Sequence, residues 1–494
     1  MSRFKPTPGT TAVHPPPRDP IPAVRKPIPT PQALNPPSAA AVLEDAQPKQ
    51  TSTAQFRMAV VNTTRKIALA FTLAFIFFRF SFLHEYIAAK FWVDTHVLLV
   101  FGALSTLVCL AGGHFFSAFG FKSARMWVGF YCCMAGATLF STYHSGSLNL
   151  FLPYTRTTLP LLFLIPGVAF TVKDIEKVLM TIGVAGATVV VLGIISEDFR
   201  SGRLQLDSTN GTIQNANDFA THIILCMPAI AYLTMKKGRS VIFKAIGLGI
   251  VGIGFYELLG TGSRGGFVSI LLTGFYIFYK GSSRLKLGLI VGVPILCAIV
   301  LPLAPSASVQ RMMSVFLSSD ESEEAAESRS ARTELLKTSL AITFSRPFFG
   351  VGPGEFEDYQ GGQAAAAGER GMWHETHNGY TQISSECGIP AIAFYVAGMI
   401  FTYRSLKRTI AAKDPTVTPM ARTLAVMFVG YSVCLFFLSQ GYSFVLLVIC
   451  GLSVCLERYL QEQQASADPA VEVRSAATVS GLPAKLLSRP RLMP

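Results

Sequence analysis

Apolar runs separated by short polar connections recur along the chain from Lys66 to Leu460. Most are long enough to cross a hydrocarbon core of about 30 Å, for which a helix needs about 20 residues. The pattern predicts an all-α integral membrane protein with about twelve transmembrane helices. The predicted spans are 66–83, 96–114, 125–143, 155–171, 177–196, 219–235, 241–259, 266–280, 285–304, 386–403, 421–438 and 440–458.

One connection departs from this pattern, because the segment 305–386 places a large loop between spans 9 and 10. Loops of this length are uncommon in compact architectures unless they have a function. Within the loop, apolar residues at helical spacing predict an amphipathic helix over 329–344 that lies on the membrane surface. These residues are Leu335, Leu336, Leu340 and Ile342. Further along, the glycine-rich stretch 361–371 predicts a flexible excursion.

Composition agrees with a membrane protein, since 50% of the residues are apolar and 14% are charged. Soluble domains carry about 25% charged residues. The formal net charge of +13 follows the predicted topology, with sixteen Lys and Arg in the short inside loops and five in the short outside loops. The positive-inside rule therefore predicts that both termini are cytoplasmic and that the large loop is extracytoplasmic. This distribution argues against a nucleic-acid partner.

The two ends of the chain differ from the membrane domain at 61–460. The first 55 residues contain 13 of the 29 prolines, so the sequence predicts a disordered Pro-rich cytoplasmic tail at 1–60. A second disordered cytoplasmic tail is predicted at 461–494. The first tail is either a plain spacer or a site for a partner that binds Pro-rich segments.

A polar turn, GTGSRGG at 260–266, lies between the predicted spans 241–259 and 266–280. Its glycines permit a sharp turn with exposed amides, and the guanidinium of Arg264 offers a planar fork for phosphate oxygens. The turn lacks the spacing and the lysine of a nucleotide P-loop. The alternative interpretation is a simple loop whose arginine reaches the lipid headgroups.

A second polar segment, between the fifth and sixth predicted spans, carries Arg200 and Arg203 and then Asn215 and Asn217. Arginines can bind phosphate and amide side chains can bind sugar hydroxyls, so this segment could serve both parts of a lipid-linked glycan. Alternatively, the Asn and Asp residues of this segment, Asn217 or Asp218 above all, cap the following helix.

The densest polar cluster is HETHNGY at 374–380, near the end of the large loop. A histidine can take a proton from an attacking hydroxyl near neutral pH, which makes His377 the candidate general base. His374 and His377 could instead bind a metal with Glu375, or form an ordinary surface pair. The sequence is not H-E-x-x-H, because position 378 is Asn.

Together these motifs resemble the O-antigen ligase and polysaccharide polymerase superfamily. The resemblance rests on GTIQNANDFA at 211–220, GTGSRGGF at 260–267, RTELLKTSLAITFSRPFFGVGPGEF at 332–356 and HETHNGYTQISSECGIP at 374–390. It implies a GT-C-like membrane glycosyltransferase in the bacterial inner membrane that inverts configuration and needs neither metal nor cofactor. The donor would be an undecaprenyl-diphosphate-linked glycan, and the acceptor lipid A-core, another glycan or a protein.

The resemblance also implies roles for individual residues. His377 would activate the acceptor hydroxyl, and Arg264, Arg332 and Arg203 would bind the donor diphosphate. Arg200 is an equal candidate to Arg203. Further candidates for substrate contact are Asn215, Asn217, His374 and Asn378. Negative charge builds up on a departing diphosphate, so fixed arginines would stabilise the transition state more than the ground state.

Two other classes of function stay open at this point. A solute or anion transporter could have the same membrane architecture, although the sequence shows no internal repeat of the kind common in transporters. A membrane scaffold that binds partners through its Pro-rich tail is the third interpretation. Substitutions at Arg264 and His377 would separate an enzyme from either alternative.

Overall fold

The computed structural model describes residues 52–93, 95–196, 198–200, 202–206, 212–313, 323–368 and 373–466. Most of the two predicted tails, 1–60 and 461–494, lies outside these residues, so the predicted disorder is untested there, whereas the described parts, 52–60 and 461–466, are helical. The side chain of Arg200 also lies outside the described part.

All twelve predicted spans fall on helices. In chain order, the helices outside the large loop are α1 Ser52–Ser81, α2 Leu83–Phe91, α3 Val97–Ala111, α4 Lys122–Leu139, α5 His144–Val168, α6 Val172–Ser196, α7 Ala216–Met235, α8 Val241–Gly260, α9 Arg264–Lys280, α10 Ser283–Val300, α14 Gly379–Ala411, α15 Thr418–Cys434 and α16 Val445–Ser466. The large loop contains α11 Ser306–Met313, α12 Glu323–Ser345 and α13 Phe356–Ala366. A two-stranded antiparallel hairpin, β1 Asp198–Arg200 and β2 Arg203–Gln205, follows α6.

Among the described residues, six helices are long and apolar enough to cross a membrane, or seven if α1 and α2 form one bent span. The other predicted spans coincide with shorter or more polar helices, such as α3 with 15 residues and α9 with 17. The chain is therefore a multi-pass membrane protein, and the number twelve stays a prediction.

Helices α8 and α10 turn apolar side chains outward. Ile242 is 74% exposed on α8, and Leu287 is 63% exposed on α10. In water this exposure would be unfavourable, but lipid tails are as apolar as leucine. The main apolar core lies instead among α1, α4, α5, α14 and α16, around residues such as Trp127 and Phe75.

Two spans are broken by residues with positive φ. Phe82, at φ 50°, separates α1 from α2, which are bent by 63°. Gly388, at φ 84°, interrupts α14, and Ile389 N–H donates to Pro347 O at 2.7 Å across the break. The tenth span was predicted to begin at 386, whereas α14 begins at Gly379, because the first part of this helix belongs to the loop side of the break.

The predicted amphipathic helix at 329–344 is confirmed as a helix and is longer, since α12 covers Glu323–Ser345. Its apolar residues divide between two faces. Leu335 and Ile342 are buried inside the protein, whereas Leu336 and Leu340 are exposed. The predicted flexible excursion at 361–371 is wrong for its first part, which is helical to the end of α13.

The GVGPGEF segment that follows α12 fastens the loop to α14. Val351 N–H donates to Ser385 O at 3.0 Å, and Gly352 N–H donates to Glu386 O at 2.9 Å. Gly354 N–H donates to Glu386 Oε2 at 2.6 Å. Gly352 has φ 114°, and a Cβ there would overlap Ser141 Oγ, so only glycine fits at this position. The loop helix is thereby held against the helix that follows the HETHNGY cluster.

Candidate functional site

The SRG turn lies between α8 and α9 and begins with a helix cap. Ser263 Oγ accepts a hydrogen bond from Gly266 N–H at 3.1 Å, so it satisfies one of the free amides at the start of α9. Gly262 adopts φ 56°, which lets the chain reverse before the cap. Arg264 is then the first residue of α9, half-buried, at the helix end that favours anions.

Arg203 joins the hairpin to this turn and to α7. Its Nε donates to Thr261 O at 2.8 Å, and its Nη2 donates to Asn217 Oδ1 at 2.8 Å. Asn217 Oδ1 also accepts from Ser263 Oγ at 2.9 Å. The structure therefore brings these two predicted motifs together, and Arg203 uses two of its N–H groups to hold the protein.

Asn215, predicted as a sugar contact, is the N-cap of α7. Its Oδ1 accepts from Asn217 N–H at 2.8 Å and from Asp218 N–H at 3.1 Å. The alternative that the Asn and Asp residues of this segment cap the helix is confirmed for Asn215, and Asp218 Oδ2 accepts from Gln214 N–H at 3.3 Å at the same helix start. Asn217 is left to bridge Arg203 and Ser263.

Arg332, on the loop helix α12, is close to the SRG turn. It lines a small pocket together with Asn217, Ser263 and Gly266. Burial and the positive charges of Arg264 and Arg311 lower the pKa of Arg332. Arg332 therefore lies within electrostatic range of two further guanidinium groups, and such a cluster of positive charge suits a ligand with several negative charges.

His377 lies at the end of the loop in an unusual backbone conformation. Its φ of 51° is left-handed, which costs an L-residue about 1–2 kcal/mol, and its N–H donates to Ser439 Oγ at 2.9 Å. Burial and the positive charges of Arg332 and His374 lower the pKa of His377 to about 4. The imidazole is therefore neutral at pH 7 and able to accept a proton. Its interaction with Arg332 places it beside the guanidinium cluster.

The connector 435–444, between α15 and α16, holds several parts of the site. Ser439 Oγ accepts from His377 N–H and lies 3.2 Å from Thr376 Oγ1. Gln440 Nε2 donates to Asp218 Oδ1 at 3.0 Å, which ties the connector to the first turn of α7. The predicted spans 421–438 and 440–458 left a single residue between them, whereas the structure has ten. The pair of polar residues, Ser439 and Gln440, between apolar runs was the available signal.

The start of α14 is fixed from the same side. Gly379 N–H donates to Leu435 O at 2.7 Å, and Gly441 N–H donates to Gln382 Oε1 at 3.0 Å. Asn378, predicted as a candidate for substrate contact, is the N-cap of α14 and accepts from two amides of its first turn. The first turn of α14 is therefore held both by this cap and by the connector.

The remaining candidates have different surroundings. The exposed His374 interacts with both His377 and the carboxylate of Glu357. The backbone of Arg200 pairs with Arg203 in the hairpin. Among the described residues, no three His, Cys, Asp or Glu side chains group as metal ligands. Independence of the reaction from metal stays a prediction.

Comparison with known families gives one match. Residues 249–396 match the family described as O-antigen ligase. The matched segment contains Arg264, Arg332 and His377 but ends before Ser439. No curated protein matches the chain.

Proposed function

Because residues 249–396 are an O-antigen ligase domain in a multi-pass membrane protein, we propose that the chain is a glycosyltransferase with a lipid-linked donor. It moves a glycan from undecaprenyl diphosphate to an acceptor hydroxyl at the outer face of the bacterial inner membrane. The observation that supports this proposal is the guanidinium cluster at the SRG turn, with a neutral imidazole beside Arg332. Lipid A-core, a second glycan or a protein supplies the acceptor hydroxyl.

The donor diphosphate binds between Arg264 and Arg332. Guanidinium groups pair with phosphate oxygens through two parallel hydrogen bonds, and the start of α9 adds the positive end of a helix dipole. Arg203 and Asn217 keep the SRG turn in place through the hydrogen bonds to Thr261 and Ser263. The prenyl chain stays in the bilayer, so the anomeric carbon lies close to the membrane surface.

The transfer is a single displacement. The acceptor oxygen forms a bond to the anomeric carbon while the bond from that carbon to the diphosphate oxygen breaks, and configuration inverts. The electron pair leaves with undecaprenyl diphosphate, and the acceptor proton passes to His377. A bound diphosphate offsets the positive charge of Arg332, so it raises the pKa of His377 and makes the imidazole a stronger base when the donor is present.

The arginines act in place of a metal ion in this mechanism. Charge that develops on the leaving diphosphate is met by groups that are already fixed by packing and hydrogen bonds. The reaction then needs no divalent cation and no cofactor. A purified enzyme is expected to retain its activity after treatment with a chelator, and activity restored only by added metal would contradict this part of the proposal.

The test is glycan transfer by variants that insert normally. His377→Gln should lower transfer by about 10²–10⁴-fold, the usual contribution of a general base. Arg264→Ala should abolish donor use, and both variants should accumulate undecaprenyl-linked glycan. The matched control is Lys337→Ala, because this side chain is on α12 and is 71% exposed. Intact surface glycan with lost solute uptake would instead support a transporter.

A further inference from the structure

The helices α8, α9 and α10 carry a group of cations at the ends that lie away from the SRG turn. These residues lie in or next to two short connections, the one before α8 and the one between α9 and α10. They form the basic surface, which consists of Lys236, Lys237, Arg239, Lys244, Lys280, Arg284 and Lys286. Lys236 pairs with Glu176 on α6 at 2.7 Å. Between Asp218 and Asp320 the sequence has a single acidic residue, Glu257, near the other end of α8. The basic surface is therefore strongly positive.

The three helix ends of the basic surface lie at a similar level. The connections at 261–263 and 281–282 are short, so successive helices run in opposite directions. A Cβ at Gly252 would lie 3.9 Å from Leu296 Cδ1, which places α8 beside α10. At a rise of about 1.5 Å per residue, this contact is about 17 Å from the start of α8 and about 20 Å from the start of α10. Both helix starts and the end of α9 therefore face the same side.

The helices α8 and α10 have little protein around them. Only 6% of the apolar span that begins with α10 is buried inside the protein, and 22% of α8, against 67% of α7. Next to the cations, Val241 is 82% exposed and Ile242 is 74% exposed. Bare apolar faces thus adjoin the basic surface, and a ligand that fits both must have an anionic head and a hydrocarbon chain.

Two of the cations are positioned by aromatic rings. Arg239 Cζ lies 4.8 Å from the centre of the Phe243 ring, and Lys286 Nζ on α10 lies 5.6 Å from the ring of Phe278 on α9. The buried Nε of Arg239 donates to no group in the described part of the chain. Contact with the face of a ring attracts a cation without using its N–H donors. The donors of these side chains are therefore available to an anion.

We propose that the basic surface binds the headgroups of anionic phospholipids of the bilayer, with their acyl chains along α8 and α10. Phosphate oxygens accept hydrogen bonds from the cations, and the chains cover the exposed apolar residues. A soluble anion would use only the first of these two features. The positive-inside rule accounts for the number of cations in a connection, whereas the ring contact between α9 and α10 and the bare helix faces are additional to it. This inference is independent of glycan transfer.

The experiment measures binding of phosphatidylglycerol to the full chain in detergent by native mass spectrometry, with phosphatidylethanolamine as the comparison lipid. The triple variant combines Arg239→Gln, Lys244→Gln and Lys286→Gln. It leaves four cations of the basic surface to maintain the topology. Each basic residue near the membrane surface strengthens binding of an anionic lipid by about fivefold, so the triple variant should bind phosphatidylglycerol about 100-fold more weakly.

A matched control removes the same charge from another place. It combines Arg404→Gln, Lys407→Gln and Lys413→Gln, which are exposed residues at the end of α14 farthest from the large loop. The control should bind phosphatidylglycerol within about threefold of the wild type, because it leaves the basic surface intact. The wild type and the control should both prefer phosphatidylglycerol to phosphatidylethanolamine.

Four results would overturn the proposal. Equal losses in the triple variant and the control would assign the attraction to net charge alone. Unchanged binding in the triple variant would remove the basic surface from lipid binding. If soluble glycerol 3-phosphate binds as tightly as phosphatidylglycerol, the surface takes a soluble anion and the acyl chains have no role. Should the triple variant not fold, Lys286→Gln alone is expected to weaken binding by about fivefold, and unchanged binding in that variant would overturn the proposal as well.

Discussion

Replacing Ser439 by alanine tests whether the connector 435–444 positions the proposed base. Ser439 Oγ accepts from His377 N–H at 2.9 Å, and it also bonds the side chain of Glu375. His377 adopts φ 51°, which is about 1–2 kcal/mol less favourable than a right-handed conformation. The hydrogen bond from its N–H contributes about 0.5–1.5 kcal/mol, an amount similar to this cost. Without the hydroxyl, the left-handed conformation loses the contact that stabilises it.

The expected effect is on the rate of transfer rather than on donor binding. Loss of the about 0.5–1.5 kcal/mol that this hydrogen bond contributes to the active conformation lowers kcat by about 2–13-fold. The donor KM should be nearly unchanged, because Arg264 and Arg332, the proposed donor contacts, lie on α9 and α12 rather than on the connector. Ser439→Thr retains a hydroxyl and should recover most of the activity.

The assay is transfer from a lipid-linked glycan by purified protein in nanodiscs, with thermal denaturation measured for each variant. If Ser439 had a purely structural role, Ser439→Ala would lower the stability without lowering kcat at a constant donor KM. The reasoning is refuted if a stable Ser439→Ala variant has a kcat within twofold of the wild type. It is equally refuted if the variant raises KM and leaves kcat unchanged.

Three further predictions concern pH, backbone space and capping. The pKa of His377 is lowered from 6.5 to about 4, so kcat/KM for the donor should stay level as the pH falls below 6.5 and should decrease only near pH 4. Arg332→Gln should move this decrease to higher pH. A decrease already at pH 6.5 in the wild type would contradict the prediction. Gly352→Ala should lower the free energy of unfolding by at least about 2 kcal/mol, because the new Cβ strains the backbone and overlaps Ser141 Oγ. The control is Gly362→Ala, where a Cβ would meet no atom within 4 Å, and this variant should be neutral or stabilising in the same thermal melts. Asn378→Ala should cost about 0.5–2 kcal/mol of stability, and Asn378→Asp should restore it; a variant that alters acceptor KM alone would argue for substrate contact instead.

The sequence was most informative about the helices, because the length of an apolar run is set by the bilayer and can be counted directly. It was least informative where a helix is broken. Phe82 has no turn signal around it, so the break between α1 and α2 was not predicted. At Gly388 the glycine and Pro390 were visible, but the close approach of Pro347 O, which the break allows, comes from a distant part of the chain.

Polar residues were harder to interpret than charged ones. Asn215 and Asn378 were candidates for substrate contact, yet both satisfy amides at helix starts, as asparagine often does. Arg264 and Arg332 were assigned to one ligand from the family resemblance, and in the structure Arg332 lies beside the turn that carries Arg264; their binding of a donor stays a prediction. Arg311 and its place beside them could not be found, because nothing local distinguishes it from other surface arginines.

The contacts of the connector 435–444 explain how a base in a long loop can be held accurately. Ser439 fixes the backbone of His377, and the adjacent Gln440 bonds Asp218 on α7. Asp218 follows Asn217, which in turn holds Ser263 in the SRG turn. Three hydrogen bonds, joined by two pairs of adjacent residues along the chain, thus connect His377 to Ser263 in the SRG turn. Sites perform best when the reacting groups are supported by such fixed neighbours, and here the support comes from transmembrane helices on both sides of the loop. We therefore expect the separation between His377 and the donor site to be set by the membrane domain, while the large loop contributes Arg332 and covers the pocket.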